Sequence, residues 1–329
     1  VVQLGKLIFF DPILSNNNKR SCASCHKPHK AFTDGADKSI AMDFEGKVLR
    51  NSPSLINSIY SDRYFWDLRV DKLEDQIEHV VVSEKEFHTD YFNIFDKMLT
   101  SKEYVELFKA SFPETKQNPV NSYTLSTSLA AYVSSLTALN SRFDRYVRGE
   151  TIAIEPDVIK GFNLFMGKAG CGTCHFAPTF NGSTPPFYTE SESEVLGVPR
   201  SKDKNSPLDD DAGRSSGKVR ENSNIYLHSF KTPTIRNVAL TAPYMHNGVY
   251  NTLEELMEFY NNGGGAGLGL SVPNQTLPSD SLGLTATEIK DIVSFMKSLT
   301  DTTGTTSVPS RLPSFDDAKL SARKIGGEY

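Results

Sequence analysis

Two short stretches of the sequence each place two cysteines and a histidine within five positions. They are Cys22, Cys25 and His26 in CASCH, and Cys171, Cys174 and His175 in CGTCH. Two thiols three positions apart can each add to a vinyl group of a haem, and the imidazole that follows can bind the iron from the same side. The spacing therefore predicts two c-type haem attachment sites.

Closely spaced cysteines also have two other uses in proteins. A zinc site usually draws on cysteine pairs that stand near each other in sequence, whereas Cys171 follows Cys22 by 149 residues. A thioredoxin-like redox pair follows a strand, and neither pair here follows an obvious one. Haem is the interpretation that gives each histidine the same role.

Length and composition are compatible with two haem pockets. The chain has 329 residues, of which 38% are hydrophobic, and its 20 Phe and 13 Tyr are enough to line two pockets in two domains. All four cysteines lie in the two motifs, so no disulfide framework is expected. A net charge of −5 argues against a nucleic-acid partner and is compatible with a basic protein partner such as a small cytochrome.

The expected location follows from the cofactor and from hydropathy. Bacteria complete covalent haem attachment outside the cytoplasm. The chain begins VVQLGKLIFF, without a basic segment and a small-residue cleavage site, and no apolar run approaches the ~20 residues of a membrane span. We therefore expect a processed periplasmic protein without a membrane span.

Helical patterns dominate the sequence and strands are scarce. Capping boxes predict the starts of three helices, at Thr285 with Glu288, at Thr252 with Glu255, and at Asp71 with Glu74. A further helix is predicted over residues 123–146, ending near Gly149. Residues 176–230 are rich in Gly, Pro, Ser and Asp and predict a long loop over the second haem, and the tail after Thr300 is similarly loop-like.

An internal repeat relates the two halves of the chain. Residues 52–80 align without a gap over residues 232–260, an offset of 180 positions. The pattern predicts a mainly α fold of two c-type cytochrome domains related by internal duplication, with long loops and little strand. We place these domains at residues 1–150 and 151–329, with the tail after about residue 300 able to pack back on the first domain.

The aligned halves differ at three positions that bear on chemistry. Val80 lies over Tyr260, Trp66 over His246, and Gln76 over Leu256. If the repeated helix covers the distal face of its own haem, the second haem is offered a phenol where the first is offered an isopropyl group. The two irons are therefore expected to differ in their sixth ligand.

The sequence resembles the bacterial di-haem cytochrome c peroxidases and their relative MauG. The resemblance covers nearly the whole chain and is carried by LGKLIFFDPILS, CASCH, RNSP, FWDLR, CGTCH, DAGR and TPTIRNVALTAPYMHNG. It implies two covalently bound haem c groups with His26 and His175 as proximal ligands. It also implies that the N-terminal haem reacts with hydrogen peroxide, while the C-terminal haem is six-coordinate and exchanges electrons.

The family divides on the other axial ligand of the second haem, which is methionine in the peroxidases and tyrosine in MauG. That ligand follows the histidine of the PYxH motif, here His246, by fourteen positions, which gives Tyr260. Met257, on the same helical face, and Met245 are the alternatives. A phenolate stabilises oxidised iron and a thioether favours reduced iron. Tyr260 therefore brings the chain closer to MauG.

The first haem is expected to be open on its distal side. Many of the family's peroxidases place a removable histidine between the first CxxCH and RNSP, and the only histidine there is His29. It follows His26 too closely to reach the far face, and Met42 is a weaker substitute. The resemblance thus implies a five-coordinate ferric iron that reacts with peroxide without prior reduction.

Peroxide cleavage needs a group that takes a proton from one oxygen and returns it to the other. By match to the family this acid/base is Glu86, with Gln76 as its hydrogen-bonding neighbour, although a solvated surface glutamate is the alternative. His79 and His88 are alternative bases in the same stretch. Trp66, the only tryptophan in the chain, matches a position between the haems where its ring can carry charge, and a core role is compatible with this.

Two further features of the sequence bear on the expected site. Asn51 and the carbonyls of Thr241 and Pro243 match the calcium site of the family, and an oxygen-only ligand set suits that ion. MauG has a surface tryptophan two positions before its second CxxCH that passes holes to its protein substrate, whereas Ala169 stands there in this chain. The outward route must therefore differ, and Tyr188 and Tyr226 are the candidates.

The predicted function is that of a periplasmic di-haem enzyme that uses hydrogen peroxide to oxidise aromatic side chains of a partner protein. One alternative is a cytochrome c peroxidase that takes electrons from a small cytochrome. Another is a non-enzymatic electron-transfer cytochrome, which would need strong ligands on both sides of both irons. A homodimer is compatible with all three predictions.

Overall fold

The computed structural model describes residues 1–115, 117–216, 224–304 and 307–329. The α-helices in these ranges are α1 (Val2–Phe9), α2 (Cys22–Cys25), α3 (Leu73–Val82), α4 (Tyr91–Leu99), α5 (Lys102–Ser111), α6 (Ser122–Ser134), α7 (Arg142–Val147), α8 (Pro156–Met166), α9 (Leu253–Asn261), α10 (Gly264–Gly267), α11 (Ala286–Ser298) and α12 (Ala318–Ser321). Strands β1 (Ser193–Val195) and β2 (Ser229–Lys231) form a small antiparallel sheet, with Glu194 opposite Phe230. The chain is mainly helical, as its sequence predicts.

No helix in the described ranges is long and apolar enough to cross a membrane. The segment 176–230 is a long loop that carries the two short strands, and its residues 217–223 lie outside the described residues. The described part of the tail after Thr300 is also loop-like, except for α12.

Buried apolar side chains form two clusters, one mainly in each half of the chain, with Phe143 in the second cluster and Phe315 in the first. The first is centred on the contact between α1 and α6, and the second on the contact between α8 and α11. Each contact is possible only because one helix carries glycine. A Cβ atom on Gly5 would lie 1.8 Å from the carbonyl oxygen of Ser128, and one on Gly161 would lie 1.9 Å from that of Asp291. In each half, therefore, a glycine on one core helix allows close contact with the backbone of the other helix.

The predicted repeat is visible in the local backbone. The 3₁₀ turn Ser58–Tyr60 recurs at Val238–Leu240, 180 positions later. The residue before each turn is an asparagine in the left-handed region, with φ of 63° at Asn57 and 59° at Asn237. These correspondences agree with the sequence alignment. The origin by duplication and the domain boundary at residue 150 remain predictions.

Two of the three predicted helix caps are confirmed. The side chain of Thr285 accepts a hydrogen bond from Glu288 N, in a reciprocal capping box, and Thr252 accepts one from Glu255 N. The third prediction is wrong, because α3 follows Lys72 and not Asp71. The carboxylate of Asp71 instead lies 3.2 Å from the guanidinium of Arg63.

The helix predicted over residues 123–146 is interrupted. Helix α6 ends at Ser134 and α7 begins only at Arg142. Between them, Asn57 donates from its backbone N to Leu136 O at 2.8 Å, and its side chain exchanges two hydrogen bonds with the backbone of Ala138, at 3.0 and 2.8 Å. These tertiary bonds replace the helical ones, so the break follows from a contact that local periodicity does not contain.

The C-terminal tail returns to the first half of the chain. Arg323 donates two hydrogen bonds of 2.6 Å to the carboxylate of Asp11, and the phenol of Tyr104 donates a third of 2.6 Å. Asp11 and Tyr104 are fully buried, and the side chain of Arg323 is 2% exposed. Phe315 of the same tail joins the first core cluster.

We predict that Arg323→Ala lowers the free energy of unfolding by ~3–5 kcal/mol, because the substitution leaves the charge of Asp11 buried without its ionic partner. Arg311→Ala is the matched control, since Arg311 pairs with Glu103 at the surface and its side chain is 70% exposed; it should cost less than about 1 kcal/mol. Urea unfolding of the two variants measures both values. Equal losses would show that the buried ion pair does not hold the tail.

Candidate active site

A single cavity of about 1050 Å³ runs between the two halves of the chain. Both attachment motifs line it, through Cys22, Cys25, His26, Cys171, Cys174 and His175. This volume exceeds the roughly 300–1,000 Å³ of ordinary single-ligand pockets. The structure thus brings the six predicted attachment residues to one internal space that is large for one small ligand.

Both attachment histidines are held in the same way. Nδ1 of His26 lies 2.8 Å from Phe32 O, and Nδ1 of His175 lies 3.1 Å from Phe180 O. Because a carbonyl can only accept, Nδ1 carries the proton and Nε2 keeps its lone pair for a metal. Burial lowers the pKa of both histidines, although the hydrogen bonds to carbonyls oppose it. Both rings are therefore neutral, which is the form that binds iron.

None of the four cysteines forms a disulfide. Burial is the largest cause that raises the pKa of Cys22 and of Cys171, each to about 12. Among the residues that the structure describes, the only group of three possible metal ligands within 4.8 Å is Cys174, Glu192 and Glu194. The two cysteine pairs therefore do not meet in a four-sulfur zinc site. Two thiols and a neutral imidazole on an apolar wall fit a haem in each half.

Trp66 lies where the two halves meet. Its indole Nε1 donates to Asn51 O at 2.8 Å, and its backbone oxygen accepts from Lys231 N at 2.7 Å. Asn51 N in turn donates to the carbonyl of His246 at 2.7 Å. Trp66 and His246 are repeat counterparts, and Asn51 connects them by these two hydrogen bonds. These three residues and Lys231 all line the cavity.

Glu86 faces the part of the cavity nearest the first attachment motif. It follows α3 in a turn in which Glu86 N donates to Ser83 O at 3.0 Å. Burial raises the pKa of its carboxyl group, while a hydrogen bond with Ser83 and the charge of Arg69 act in the opposite direction. Gln76 lines the same cavity from α3. The structure thus brings both predicted residues to the first site.

The alternative bases lie elsewhere. His79 and His88 are both exposed, and neither lines the cavity. The ring of His79 instead packs edge-on against Phe65, with 5.8 Å between ring centroids. Glu86 is therefore the better placed proton carrier of the three.

The first half offers few ligands for a distal iron position. In the described part of residues 1–150, the cavity lining contains no histidine other than His26 and no methionine. His29 is exposed, and Met42 lies outside the lining and joins backbone hydrogen bonds with Lys85 and Asn17. Tyr64 also lines the cavity, as does its repeat counterpart Tyr244, and the open distal side remains a prediction.

The three ligands considered for the second haem, Tyr260, Met257 and Met245, all line the cavity. Met257 belongs to the second core and is only 3% exposed, whereas Tyr260 is half-buried and presents more of its surface. Met245 lies in a loop with φ of 73°, like its repeat counterpart Phe65 with φ of 63°. Burial raises the pKa of Tyr260 well above its ordinary value. The phenol would therefore need the charge of ferric iron to ionise.

A network of ion pairs beside the cavity was not anticipated from the sequence. Arg50 donates to Asp67 and to Asp211, with hydrogen bonds of 2.6 to 2.8 Å, and Arg69 donates to Asp67 at 2.8 Å. The network joins the two halves and places Arg69 near Glu86. Its residues stand in the RNSP, FWDLR and DAGR segments, so their motif positions were the available signal.

The remaining predicted residues also take up defined positions. Asn51, Thr241 and Pro243 all line the cavity. Ala169 is buried and lines it too, so this position is not a surface site. Tyr188 and Tyr226 are half-buried and lie outside the lining.

Comparisons with known proteins identify the family of the chain. The family model for di-haem cytochrome c peroxidases matches residues 1–152. Cytochrome-c peroxidase IdrP1 of Denitromonas iodatirespirans is 32% identical over 316 residues, covering 92% of this chain and 81% of the relative. The methylamine utilization protein MauG of Methylorubrum extorquens is 29% identical over 299 residues, covering 91% and 77%. The crystal structure of a MauG-like protein associated with microbial copper homeostasis matches with a TM-score of 0.79 at 27% identity, covering 94% and 93%.

The chain therefore belongs to the di-haem cytochrome c peroxidase family. It is a haem-dependent oxidoreductase with two haem groups, and its relatives include proteins named as cytochrome c peroxidases and as MauG. The zinc and thioredoxin interpretations of its cysteine pairs are set aside.

We predict that Glu86→Gln slows the reaction with hydrogen peroxide by roughly 100-fold or more, which is the scale of a lost acid/base. The carboxylate is the form that accepts a proton, so the wild-type rate should rise with pH through a midpoint above the ordinary glutamate pKa. This rise of the rate with pH should be absent in the Glu86→Gln variant. Stopped-flow absorption measures both effects.

Glu78→Gln is the matched control, because Glu78 is exposed and lies outside the cavity lining. His79→Gln and His88→Gln should also keep the wild-type rate. A wild-type rate in Glu86→Gln together with a slow His79→Gln would move the acid/base role to His79.

Proposed function

We propose that the chain is a MauG-like enzyme, in which hydrogen peroxide reacts at the N-terminal haem and the oxidising equivalents, shared with a C-terminal haem ligated by His175 and Tyr260, oxidise a protein partner. The observation that carries this proposal is the contrast between the two distal walls. At equivalent positions of the repeat, Val80 lines the cavity in the first half and Tyr260 lines it in the second.

The chain's own residues would divide the work as follows. A bound haem supplies an iron that accepts oxidising equivalents from peroxide. Glu86 takes the proton from one peroxide oxygen and returns it to the leaving one, and Gln76 orients the reactants by hydrogen bonding. Trp66 holds a polarisable ring between the halves, fixed at 2.8 Å to Asn51 O. Tyr260 supplies a hard anionic ligand that favours oxidised iron.

The haems would be bound covalently, through thioethers to Cys22 and Cys25 and to Cys171 and Cys174, and export to the periplasm would follow from that chemistry. The support is the placement of each thiol pair with its histidine on the cavity wall. A pyridine haemochrome assay after acid–acetone extraction should give two retained haems per chain. Extraction of both haems would contradict covalent attachment.

A calcium ion would bind between the halves. The side-chain nitrogen of Asn51 donates to Ala36 O at 2.8 Å, so its Oδ1 is the atom available to a cation. Oδ1 would act with the carbonyl oxygens of Thr241 and Pro243, a set of hard ligands. Metal analysis of the purified protein should find calcium in stoichiometric amount, and its absence after dialysis against calcium would contradict this site.

The alternative function is reduction of peroxide with electrons from a small cytochrome. It is favoured by Met257, which lines the same wall as Tyr260 and would supply a thioether ligand. A purely electron-transfer role is less well supported, because it requires a strong second ligand in the first half. A homodimer remains a prediction, which sedimentation velocity would test.

We predict that Tyr260→His and Tyr260→Met raise the reduction potential of the second haem by on the order of 0.1 V or more, since axial ligands cover a range of ~0.8 V. Each neutral ligand replaces an anion that stabilises ferric iron, so oxidation of the protein partner should be lost. Spectroscopic redox titration measures the shift.

Met257→Leu and Met245→Leu are the matched controls and should leave that potential unchanged. A shift in Met257→Leu, with none in Tyr260→Met, would make the sulfur the ligand. The chain would then act by the alternative function.

A further inference from the structure

A pair of tyrosines lies at the surface where the two halves meet. The rings of Tyr60 and Tyr188 have centroids 4.9 Å apart and are inclined by 57°. Tyr60 belongs to the first half and Tyr188 to the long loop of the second. Both are half-buried, and the neighbouring Phe187 is 84% exposed. A partner protein can therefore approach the edge of this pair.

A short chain of contacts connects this pair with the second attachment histidine. Nδ1 of His175 bonds to Phe180 O at 3.1 Å. The next residue, Asn181, donates from its side chain to Tyr60 O at 2.9 Å and lines the cavity. The ring of Tyr60 then contacts the ring of Tyr188. From the imidazole to the surface, the path contains two hydrogen bonds and one ring contact.

The contact between the two rings is fixed by the backbone of the loop. Asp62, two residues after Tyr60, accepts hydrogen bonds from Glu190 N at 2.8 Å and Ser191 N at 3.0 Å. Its carboxylate also accepts from the hydroxyl of Ser191 at 2.5 Å. These bonds tie the loop that carries Tyr188 to the segment that carries Tyr60. The backbone therefore holds the rings of Tyr60 and Tyr188 close to each other, in addition to the rotamers of their side chains.

The competing surface tyrosine is less suited to lose an electron. The guanidinium carbon of Arg214 lies 4.1 Å from the ring centroid of Tyr226. A cation over a ring face is stabilised by the electrons of that ring, so removal of one of them becomes harder.

We propose that Tyr60 and Tyr188 form the relay through which oxidising equivalents leave the second haem site for the protein partner, a proposal that rests on the proposed function. One electron passes from the phenol of Tyr188 through Tyr60 to the His175 side of the cavity, and the phenolic proton passes to water. The resulting phenoxyl takes one electron and one proton from an aromatic side chain of the partner. Tyr188 is thereby restored as a phenol.

Without a partner, the relay should oxidise itself. Peroxide accepts two electrons and two protons to give two water molecules. If Tyr60 and Tyr188 each give up one electron and one proton, their rings can join through a carbon–carbon bond. The product is a cross-linked peptide pair that is two hydrogen atoms lighter than the two separate peptides.

The test uses the holoprotein with hydrogen peroxide alone, with the absorption spectrum, freeze-quench electron paramagnetic resonance and peptide mass mapping as readouts. The wild type should give a tyrosyl signal, which narrows when the tyrosines are ring-deuterated, and a cross-link between positions 60 and 188. Tyr60→Phe and Tyr188→Phe should lose both while keeping the spectral change that peroxide causes. Tyr123→Phe is the matched control, since Tyr123 is 58% exposed and distant in sequence from both motifs, and it should keep both.

The outcomes separate the relay from the function on which it rests. A tyrosyl signal that survives Tyr60→Phe and Tyr188→Phe, or that is lost in Tyr226→Phe instead, overturns the relay and leaves the proposed function standing. A wild-type spectrum that does not respond to peroxide overturns the proposed function, and the relay with it.

Discussion

The hydrogen bond between each attachment histidine and a backbone carbonyl is the interaction on which the site depends. It lies at 2.8 Å for His26 and at 3.1 Å for His175, and it directs the unprotonated nitrogen to the cavity. The accepting carbonyls belong to short loops closed by single bridges, Lys27 with Thr33 and Phe176 with Asn181. If either loop were displaced, the imidazole would lose its tautomer and its direction together. The helices and glycine contacts of each half keep these loops against their own core.

The two halves use one scaffold for two kinds of chemistry. Their turns, left-handed asparagines and helix contacts correspond, so the backbone presents equivalent positions to the cavity. The side chains at these positions differ, with Val80 in one half and Tyr260 in the other, and this is where the proposed division of labour lies. Trp66 and His246 also occupy equivalent positions. Both are hydrogen-bonded to Asn51, so they lie together where the two halves meet. The asymmetry is thus confined to a few side chains.

Much of the site could be predicted from the sequence, because its residues carry their chemistry in their spacing. The caps at Thr285 and Thr252 are local patterns, and the structure confirms them. The residues of both attachment motifs line the cavity, and their covalent attachment to haem remains a prediction. The failures have a shared cause. The break after Ser134 coincides with hydrogen bonds to Asn57, and Asp71 pairs with Arg63 in place of capping α3. Local periodicity contains neither contact. The ring contact of Tyr60 with Tyr188 likewise joins positions distant in sequence.

The central claim is that one iron is open and the other is closed, and the spin states of the fully oxidised protein test this most directly. A five-coordinate ferric haem is high-spin, whereas a haem with strong ligands on both faces is low-spin. Electron paramagnetic resonance of the ferric protein, with no reductant added, should therefore show one high-spin and one low-spin haem in equal amounts. Two low-spin signals and no high-spin haem would show that both irons are closed, and would contradict a first site ready for peroxide.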